Sequence, residues 1–272
     1  MNKEELIEVF QDTLKRCGDN IPDTKIMKYA VYNQDYYLYD EPAEIKVTNL
    51  DTLTAAQQYA ELSKTDEDTF IGVLNFASAT NPGGGVTKGS KAQEEDLCRR
   101  TDLYPALSQQ KCFDKYYKVN REGSNIGSDD IIYSENVLVF KDKDYNLLDK
   151  GQQFYIDVIT CAAPNLRDVP NNRYNPNANK EPLKLTDQEL YDIHLKRGKH
   201  ILEVALFKGI SHLILGAFGC GAFRNNPEVV ARAYRDLLKQ KGLREYFKVI
   251  EFAIIGNNDN YDIFKRILLE EE

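Results

Sequence analysis

The sequence contains no tryptophan, only three histidines and only five cysteines among its 272 residues. The histidines are not arranged as H-E-x-x-H and the cysteines are never arranged as C-x-x-C, so the sequence predicts neither a bound metal nor a cofactor. The cysteines are odd in number and widely spaced, which predicts reduced thiols in a cytoplasmic protein. They are Cys17, Cys98, Cys112, Cys161 and Cys220.

Long apolar runs and an excess of positive charge are also missing. No stretch reaches the roughly 18 apolar residues of a membrane span, and residues 1–10 are too acidic for a secretory signal. The formal net charge of −8 argues against indiscriminate nucleic-acid binding, and we expect no sequence-specific contact with nucleic acid either. A nucleotide-like ligand stays possible, because backbone dipoles alone can hold a pyrophosphate.

Strand and helix patterns alternate along the second half of the chain, which favours an α/β fold with a mostly parallel or mixed sheet. We expect one domain with insertions, and two segments are less regular. The Tyr-rich residues 29–39 should pack on the main body as a strand or an extended arm. Residues 166–185, rich in proline and asparagine, are either a mobile lid or an insertion loop. The predicted strands cover 44–48, 70–74, 136–140, 154–161, 212–218 and 248–255, and the predicted helices 2–16, 52–64, 92–102, 103–118, 186–208, 226–239 and 260–269.

A triple glycine, Gly83, Gly84 and Gly85, follows the apolar strand at 70–74. Glycines can reach positive φ and keep no side chain between backbone and ligand, so their N–H groups can converge on an anion. After seven further residues, Gln93, Glu94 and Glu95 open a predicted helix. Asn81, just before the glycines, is either a turn residue or a donor to a ribose hydroxyl.

The adjacent glutamates indicate acid–base chemistry beside this backbone cradle. Neighbouring helical residues point about 100° apart, so we predict that Glu94 and Glu95 do not face one point in the same way. One would bind a sugar hydroxyl while the other addresses a scissile bond. The alternative is that both are merely favoured by the dipole at a helix N-terminus.

A second glycine turn, Gly219-Cys220-Gly221, follows the strand predicted at 212–218 and continues into Ala222 and Phe223. Ligands of open α/β sheets gather at the carboxyl ends of strands, so the two turns could clamp a diphosphate. Neither turn matches the ATP-binding or dinucleotide-binding glycine motifs. The alternatives are tight turns without a ligand, and a core position for Phe223 in place of packing against a nucleoside or ribose.

At these residues the chain resembles the bacterial-type poly(ADP-ribose) glycohydrolases, a branch of the macrodomain family. The resemblance is carried by Gly83–Gly85 followed by Gln93-Glu94-Glu95, and by three segments at 73–79, 158–165 and 215–223. It implies a three-layer α/β/α macrodomain with a mixed central sheet, formed by residues 41–272. Residues 1–40 would be an N-terminal accessory region that packs on this catalytic domain.

The resemblance also implies roles for individual residues. Glu95 would be the catalytic acid/base, and Glu94 would bind the hydroxyls of the ribose being released. Gly83–Gly85, with Asn81 and Gln93 beside them, would approach that ribose and the diphosphate. Gly219, Cys220, Gly221 and Ala222 would form the second diphosphate loop, with Phe223 near the ribose. The sequence departs from the expected pattern at Arg224, where a small residue, often glycine, is expected.

The function implied is hydrolysis of ribose–ribose O-glycosidic bonds in poly(ADP-ribose), with ADP-ribose as product. Adjacent glutamates do not suit the flanking carboxylate pair of most glycosidases, so one acid/base fits better than two. Two alternatives stay open. The protein could remove single ADP-ribosyl groups from protein or nucleic acid, or it could bind ADP-ribose without catalysis.

Overall fold

The computed structural model describes residues 1–19, 21–30, 35–256 and 259–270. Within these ranges the chain forms one seven-stranded sheet of order β1-β4-β5-β3-β6-β7-β2. Residues 31–34 of the Tyr-rich segment lie outside the described residues. The strands are β1 (Thr24–Met27), β2 (Glu44–Thr48), β3 (Ile71–Phe76), β4 (Ile131–Val139), β5 (Phe154–Cys161), β6 (His212–Leu215) and β7 (Val249–Ala253).

The sheet is mixed, as the sequence predicts. Strands β5, β3, β6, β7 and β2 run parallel to their neighbours, whereas β4 pairs antiparallel with β5 and β1 pairs antiparallel with β4. Five strands therefore end at one edge of the sheet. The loops that follow β3, β5 and β6 start beside one another at that edge, because β3 lies between β5 and β6.

Helices cover both faces of the sheet. Among the described residues they are α1 (Lys3–Cys17), α2 (Thr52–Ala60), α3 (Gln93–Arg100), α4 (Leu103–Leu107), α5 (Gln110–Cys112), α6 (Lys118–Glu122), α7 (Asp187–Phe207), α8 (Pro227–Arg235) and α9 (Asn260–Leu269). One buried cluster packs α7, α8 and α9 against the sheet. The other packs the four helices α1, α2, α3 and α4, with the residues near α5, against the sheet. The three-layer α/β/α architecture is confirmed.

Consecutive residues of each central strand point to opposite faces of the sheet, so each strand contributes side chains to both buried clusters. Val73 of β3 lies in the core under α1–α4 and Leu74 in the core under α7–α9. In β6, Ile214 faces the first core, and Leu213 and Leu215 face the second. Parallel strands covered on both faces are therefore apolar at consecutive positions, which is why β3 and β6 are recognisable in the sequence.

Most predicted elements are present, and the differences have local causes. The predicted helix at 103–118 is interrupted after α4 at Ser108 and Gln109 and then continues through a π-helical turn, Phe113–Tyr117. Strand β4 begins earlier than predicted, at Ile131. Strand β1 was not predicted, since four residues at the antiparallel edge give too short a pattern.

The first 30 residues contact the rest of the chain closely. Strand β1 extends the central sheet through β4, and the side chain of Arg99 in α3 donates a 3.1 Å hydrogen bond to the carbonyl of Leu6 in α1. A β-carbon at Gly89 would lie 2.5 Å from the carbonyl oxygen of Lys3. The division of the chain at residue 40 stays a prediction.

Candidate active site

The loop after β3 contains two glycines in the left-handed region. Gly83 has φ +62° and Gly84 has φ +58°, conformations in which other residues are strained. At Gly83 an added β-carbon would lie 2.7 Å from the ring of Tyr104. The triple glycine thus allows a tight turn whose backbone packs closely against its surroundings.

The carboxylates of Glu94 and Glu95 both approach Gly84. A β-carbon there would lie 2.6 Å from Oε1 of Glu95 and 3.0 Å from Oε2 of Glu94. Both carboxyls thus reach one point but not in the same way, because the N–H of Ser78 holds Glu94 and the N–H of Gly85 holds Glu95. Their Cα–Cβ bonds diverge on the helix, but the longer glutamate side chains can bend back to the same place.

One carboxylate oxygen of Glu95 accepts a hydrogen bond, and the other has no partner among the described residues. Glu95 lies in the first turn of α3 and is only 7% exposed. Its Oε1 accepts a 2.8 Å hydrogen bond from the backbone N–H of Gly85. Its Oε2 is buried and has no hydrogen-bond partner among the described residues. A buried carboxylate oxygen without a partner is costly and is a feature of functional sites.

Glu94 is more tightly held. Its Oε2 accepts a 2.7 Å hydrogen bond from the backbone N–H of Ser78, and its Oε1 accepts one of 3.4 Å from Nδ2 of Asn75. Burial raises the pKa of the Glu94 carboxyl well above its ordinary value, and the charge of Glu95 raises it further, while the two hydrogen bonds oppose the shift. Two neighbouring buried carboxyls resist ionising together, so at least one carboxyl of the pair is favoured in its neutral form.

Gln93 fixes the start of α3 against the end of β3. Its Oε1 accepts a 2.8 Å hydrogen bond from the backbone N–H of Phe76, and its Nε2 donates one of 2.7 Å to the carbonyl of Leu74. Nε2 also donates to Oγ1 of Thr52 at 3.1 Å. The side chain borders the cavity described below, but its polar atoms already have protein partners.

The second glycine loop is fixed by Asn225. Gly219 has φ +80°, and a β-carbon there would lie 2.6 Å from Ala163 and 2.9 Å from Cγ of Asn225. Nδ2 of Asn225 donates to the carbonyls of Pro164, at 2.8 Å, and Phe223, at 3.2 Å. Its Oδ1 lies 2.7 Å from Nε2 of the buried His194. Burial lowers the pKa of His194 to about 4, so the ring is neutral at pH 7.

Gly221, in the second glycine loop, has open space where a side chain would be. An added β-carbon would meet no atom within 4 Å. Phe223 is half-buried beside the core, and the guanidinium of Arg167 lies 5.1 Å from its ring centroid. Arg224 has φ +60°, a conformation that explains why glycine suits this position. Its side chain is exposed and pairs with Asp168.

Asn81 links the first glycine loop to the segment after β5. Its Nδ2 donates a 2.8 Å hydrogen bond to Oδ1 of Asn175, and its Oδ1 accepts one of 2.7 Å from Nδ2 of Asn177. Arg121 also donates to the carbonyl of the preceding Thr80, at 2.7 Å. The Asn81 side chain therefore holds residues 175–177 beside the glycines, and it does not border the cavity.

A cavity of about 610 Å³ lies between the two glycine loops. Nine of the twelve predicted site residues border it, and Asn81, Gly83 and Cys220 do not. The nine are Gly84, Gly85, Gln93, Glu94, Glu95, Gly219, Gly221, Ala222 and Phe223. The cavity continues away from Glu95 towards the N-termini of α2 and α9, past Asp51, Thr52 and Asn260. Its size suits a small-molecule ligand.

Comparison with known proteins identifies the family. The family model described as the catalytic domain of microbial-type PARG, poly(ADP-ribose) glycohydrolase, matches residues 15–142. The poly(ADP-ribose) glycohydrolase of Deinococcus radiodurans, solved in complex with ADP-ribose, is 30% identical, with a TM-score of 0.69 over 99% of this chain and 92% of that one. The chain belongs to the bacterial-type poly(ADP-ribose) glycohydrolase family.

Another structure of this family is similar over nearly its whole length. The poly(ADP-ribose) glycohydrolase of Thermomonospora curvata is 26% identical, with a TM-score of 0.78 over 97% of this chain and 99% of that one. The same enzyme bound to the inhibitor ADP-HPD gives 25% identity and a TM-score of 0.75 over the same shares. None of the curated proteins compared with the chain matches it. The resemblance inferred from the sequence is confirmed.

Of the cavity residues that the sequence did not predict, three come from one irregular segment. Arg167, Tyr174 and Asn175 all come from the segment that follows β5. The position of that segment, at the carboxyl end of a central strand, was the available signal. Because the sequence of this segment has no regular pattern, it does not indicate which side chains face the cavity.

Two further observations concern metals and membranes. Over residues 1–19, 21–30, 35–256 and 259–270, no three His, Cys, Asp or Glu side chains are grouped as a metal site would need. In the same part of the chain, no helix is both long enough and apolar enough to cross a bilayer.

Proposed function

We propose that this protein hydrolyses the ribose–ribose O-glycosidic bonds of poly(ADP-ribose), releases ADP-ribose, and uses Glu95 as a single acid/base. The observation that carries the proposal is the state of the Glu95 carboxyl. One oxygen is fixed by Gly85, and the other is buried without a described partner in a side chain that borders the cavity. The relatives that were solved with ADP-ribose and ADP-HPD support a ligand of this class.

In the proposed reaction, the protonated carboxyl of Glu95 donates its proton to the departing ribose oxygen. The glycosidic C–O bond breaks with its electron pair on that oxygen, and positive charge develops at the anomeric carbon. A water molecule then attacks this carbon and returns a proton to the Glu95 carboxylate. The reaction needs only one acid/base group. This agrees with the positions of Glu94 and Glu95, whose carboxyls lie near one point and do not flank a bond from two sides.

The other site residues would bind and orient the substrate. Glu94, whose raised pKa favours the neutral form, would contact the ribose hydroxyls. The second loop, Gly219–Ala222, would hold the diphosphate through its backbone N–H groups, as backbone nests hold anions elsewhere. Gly84 and Gly85, whose N–H groups are bonded to Asn81 and Glu95, would allow the ligand a close approach. Phe223 would pack against the ribose. We further propose that residues 1–40 serve as an accessory region that supports the catalytic domain formed by residues 41–272.

The cysteines support a reducing, cytoplasmic location, which we also propose. All five are free, and four of them are buried. Macromolecules carrying ADP-ribose would then be the partners of the protein, and ADP-ribose its product.

The test is turnover of automodified poly(ADP-ribose) by the wild type and by Glu95→Gln, with Glu122→Gln on the exposed end of α6 as control. We expect ADP-ribose release by the wild type and the control, and a loss of about 10²- to 10⁴-fold in Glu95→Gln with ADP-ribose binding retained. Full activity of Glu95→Gln would overturn its role. Binding without turnover by the wild type would indicate a binding module, and cleavage of singly modified protein alone would indicate a mono-ADP-ribosyl hydrolase.

A further inference from the structure

Acidic side chains around the cavity are unfavourable for the binding of an anionic ligand. Four acidic side chains border it, Asp51, Glu94, Glu95 and Asp96. Asp51 and Asp96 pair with Arg100. The raised pKa of Glu94 favours its neutral form. A diphosphate brings two more negative charges, and backbone N–H groups offer only dipoles. Favourable binding of a diphosphate in a partly dry site therefore calls for a cation nearby, since unpaired buried charge is costly.

Most cations that border the cavity are already engaged. Arg100 is buried and pairs with Asp51 at 2.6 Å and with Asp96 at 3.0 Å. Lys91 donates a 2.8 Å hydrogen bond to the carbonyl of Met1. Lys143 is 69% exposed and lies 3.9 Å from Asp144. Within the described part of the chain these three are satisfied or mainly in solvent, and Arg167 is the remaining cation of the cavity wall.

Arg167 is fastened to the second glycine loop by one edge of its guanidinium. Its Nε donates a 2.5 Å hydrogen bond to the carbonyl of Ala222, and the group stacks over the ring of Phe223. The adjacent backbone N–H of Leu166 donates to the carbonyl of Phe223 at 3.0 Å. The loop and the arginine are thus positioned as one unit.

The two terminal nitrogens of Arg167 are left for a ligand. Neither has a hydrogen bond or an ion pair with any other described residue, and no carboxylate pairs with this side chain. Burial lowers the pKa of the Arg167 guanidinium, the charge of Glu95 opposes this shift, and the charge of Arg224 adds to it. The guanidinium stays charged, because arginine does not lose its proton in proteins.

We propose that Arg167 binds the substrate's diphosphate through these terminal nitrogens and determines the preference of the cavity for anionic nucleotides over nucleosides. A planar guanidinium can offer two parallel N–H groups to a phosphate, which a lysine cannot do. The inference rests on the proposed function and deepens it. It assigns the charge-neutralising role to one side chain of the segment after β5.

Titration of ADP-ribose and of adenosine into Arg167→Gln tests the proposal, because adenosine lacks the diphosphate. Glutamine keeps an N–H near Ala222 and removes the charge. We expect the Kd for ADP-ribose to rise about 10- to 100-fold, as for loss of a charge-assisted hydrogen bond, and the Kd for adenosine to stay unchanged. Arg167→Lys should recover part of the affinity, and added salt should weaken ADP-ribose binding more in the wild type than in Arg167→Gln.

Arg266→Gln on α9 is the matched control, because Arg266 is about half exposed, pairs with Glu228 at 2.9 Å and does not border the cavity. We expect it to bind both ligands as the wild type does. An unchanged Kd for ADP-ribose in Arg167→Gln would overturn the proposal. So would an equal loss for ADP-ribose and adenosine, which would mean that Arg167 only shapes the loop. Failure of the wild type to bind ADP-ribose or cleave polymer would instead overturn the proposed function.

Discussion

The backbone N–H of Gly85 donates a 2.8 Å hydrogen bond to Oε1 of Glu95. The same glycine loop that approaches the ligand thereby fixes the carboxyl proposed to act on it. The bond occupies Oε1, so Oε2 is the oxygen that would act in the proposed reaction. Changes in the loop should therefore act on catalysis even where they leave ligand affinity intact.

Gly84→Ala should inactivate the protein. The added methyl group would lie 2.6 Å from Oε1 of Glu95, at a backbone φ of +58°. The left-handed conformation alone costs about 1–2 kcal/mol with a side chain, and the displaced carboxyl should lower kcat by at least about 10²-fold. Thermal unfolding and polymer turnover measure the two effects. Gly151→Ala is the control, because no atom lies within 4 Å of its added methyl group. Wild-type turnover by Gly84→Ala would show that the close approach is irrelevant.

Glu94→Gln should stabilise the protein increasingly as the pH rises. An unfolded glutamate has a pKa of about 4.3, and burial and Glu95 raise the folded-state pKa of Glu94. The folded protein then binds more protons than the unfolded chain, so stability falls as the pH rises from the unfolded value through the folded one. Gln carries no such penalty. The difference in Tm between variant and wild type should therefore grow from pH 4 to pH 8.

The same series with Glu122→Gln, an exposed side chain at the end of α6, provides the comparison for Glu94→Gln. Its difference in Tm should vary little with pH. If Glu94→Gln shows the same flat profile, the carboxyl of Glu94 is ionised in the folded protein at no cost, contrary to the prediction.

Gln93→Glu should loosen the junction between β3 and α3. Glutamate keeps an acceptor for the N–H of Phe76 but turns an oxygen towards the carbonyl of Leu74. The lost hydrogen bond and the unsatisfied carbonyl should cost about 1–3 kcal/mol of unfolding free energy, measured with urea. Turnover should also fall, because α3 carries both glutamates. Gln58→Glu, exposed on α2, controls for the added charge and should change neither quantity. Equal midpoints for Gln93→Glu and Gln58→Glu would contradict the assigned role.

Asn225→Asp should weaken ligand binding through the second loop. The amide nitrogen that donates to the carbonyls of Pro164 and Phe223 would become an oxygen that repels both. We expect a rise of about tenfold or more in the Kd for ADP-ribose, together with a lower Tm. The neighbouring Asn226→Asp is the control, because aspartate caps the N-terminus of α8 as well as asparagine does. Unaltered ADP-ribose affinity in Asn225→Asp would show that the loop keeps its shape without the amide.

The sequence predicts those parts of the fold that repeat a pattern. Apolar strands such as β3 and β6 are recognisable because both of their faces are buried. Helix starts are recognisable from their capping residues, as with Thr186 and Glu189 at α7, which form the predicted capping box. A four-residue edge strand such as β1 has no such pattern, and its pairing with β4 depends on a partner more than one hundred residues away in the sequence.

The candidate site shows the same limit at the scale of side chains. Glycines and glutamates at fixed spacing point to a loop and a helix N-terminus that meet. They do not show that Glu94 and Glu95 converge on Gly84, because that depends on side-chain rotamers set by Ser78 and Gly85. Arg167 is still less predictable. Its position depends on the path of an irregular segment over Phe223.

The order of the strands predicts which parts of the molecule unfold locally least readily. Strand β3 is the middle strand of seven, hydrogen-bonded on both sides and covered on both faces, and the segment that leads to the first glycine loop begins directly after it. In native-state hydrogen exchange, the amides of residues 72–75 should be among the slowest to exchange, and ligand should slow chiefly the amides from residue 83 onwards. Local stability would then fall over about ten residues, from the centre of the sheet to the glycine loop that binds the Glu95 carboxyl.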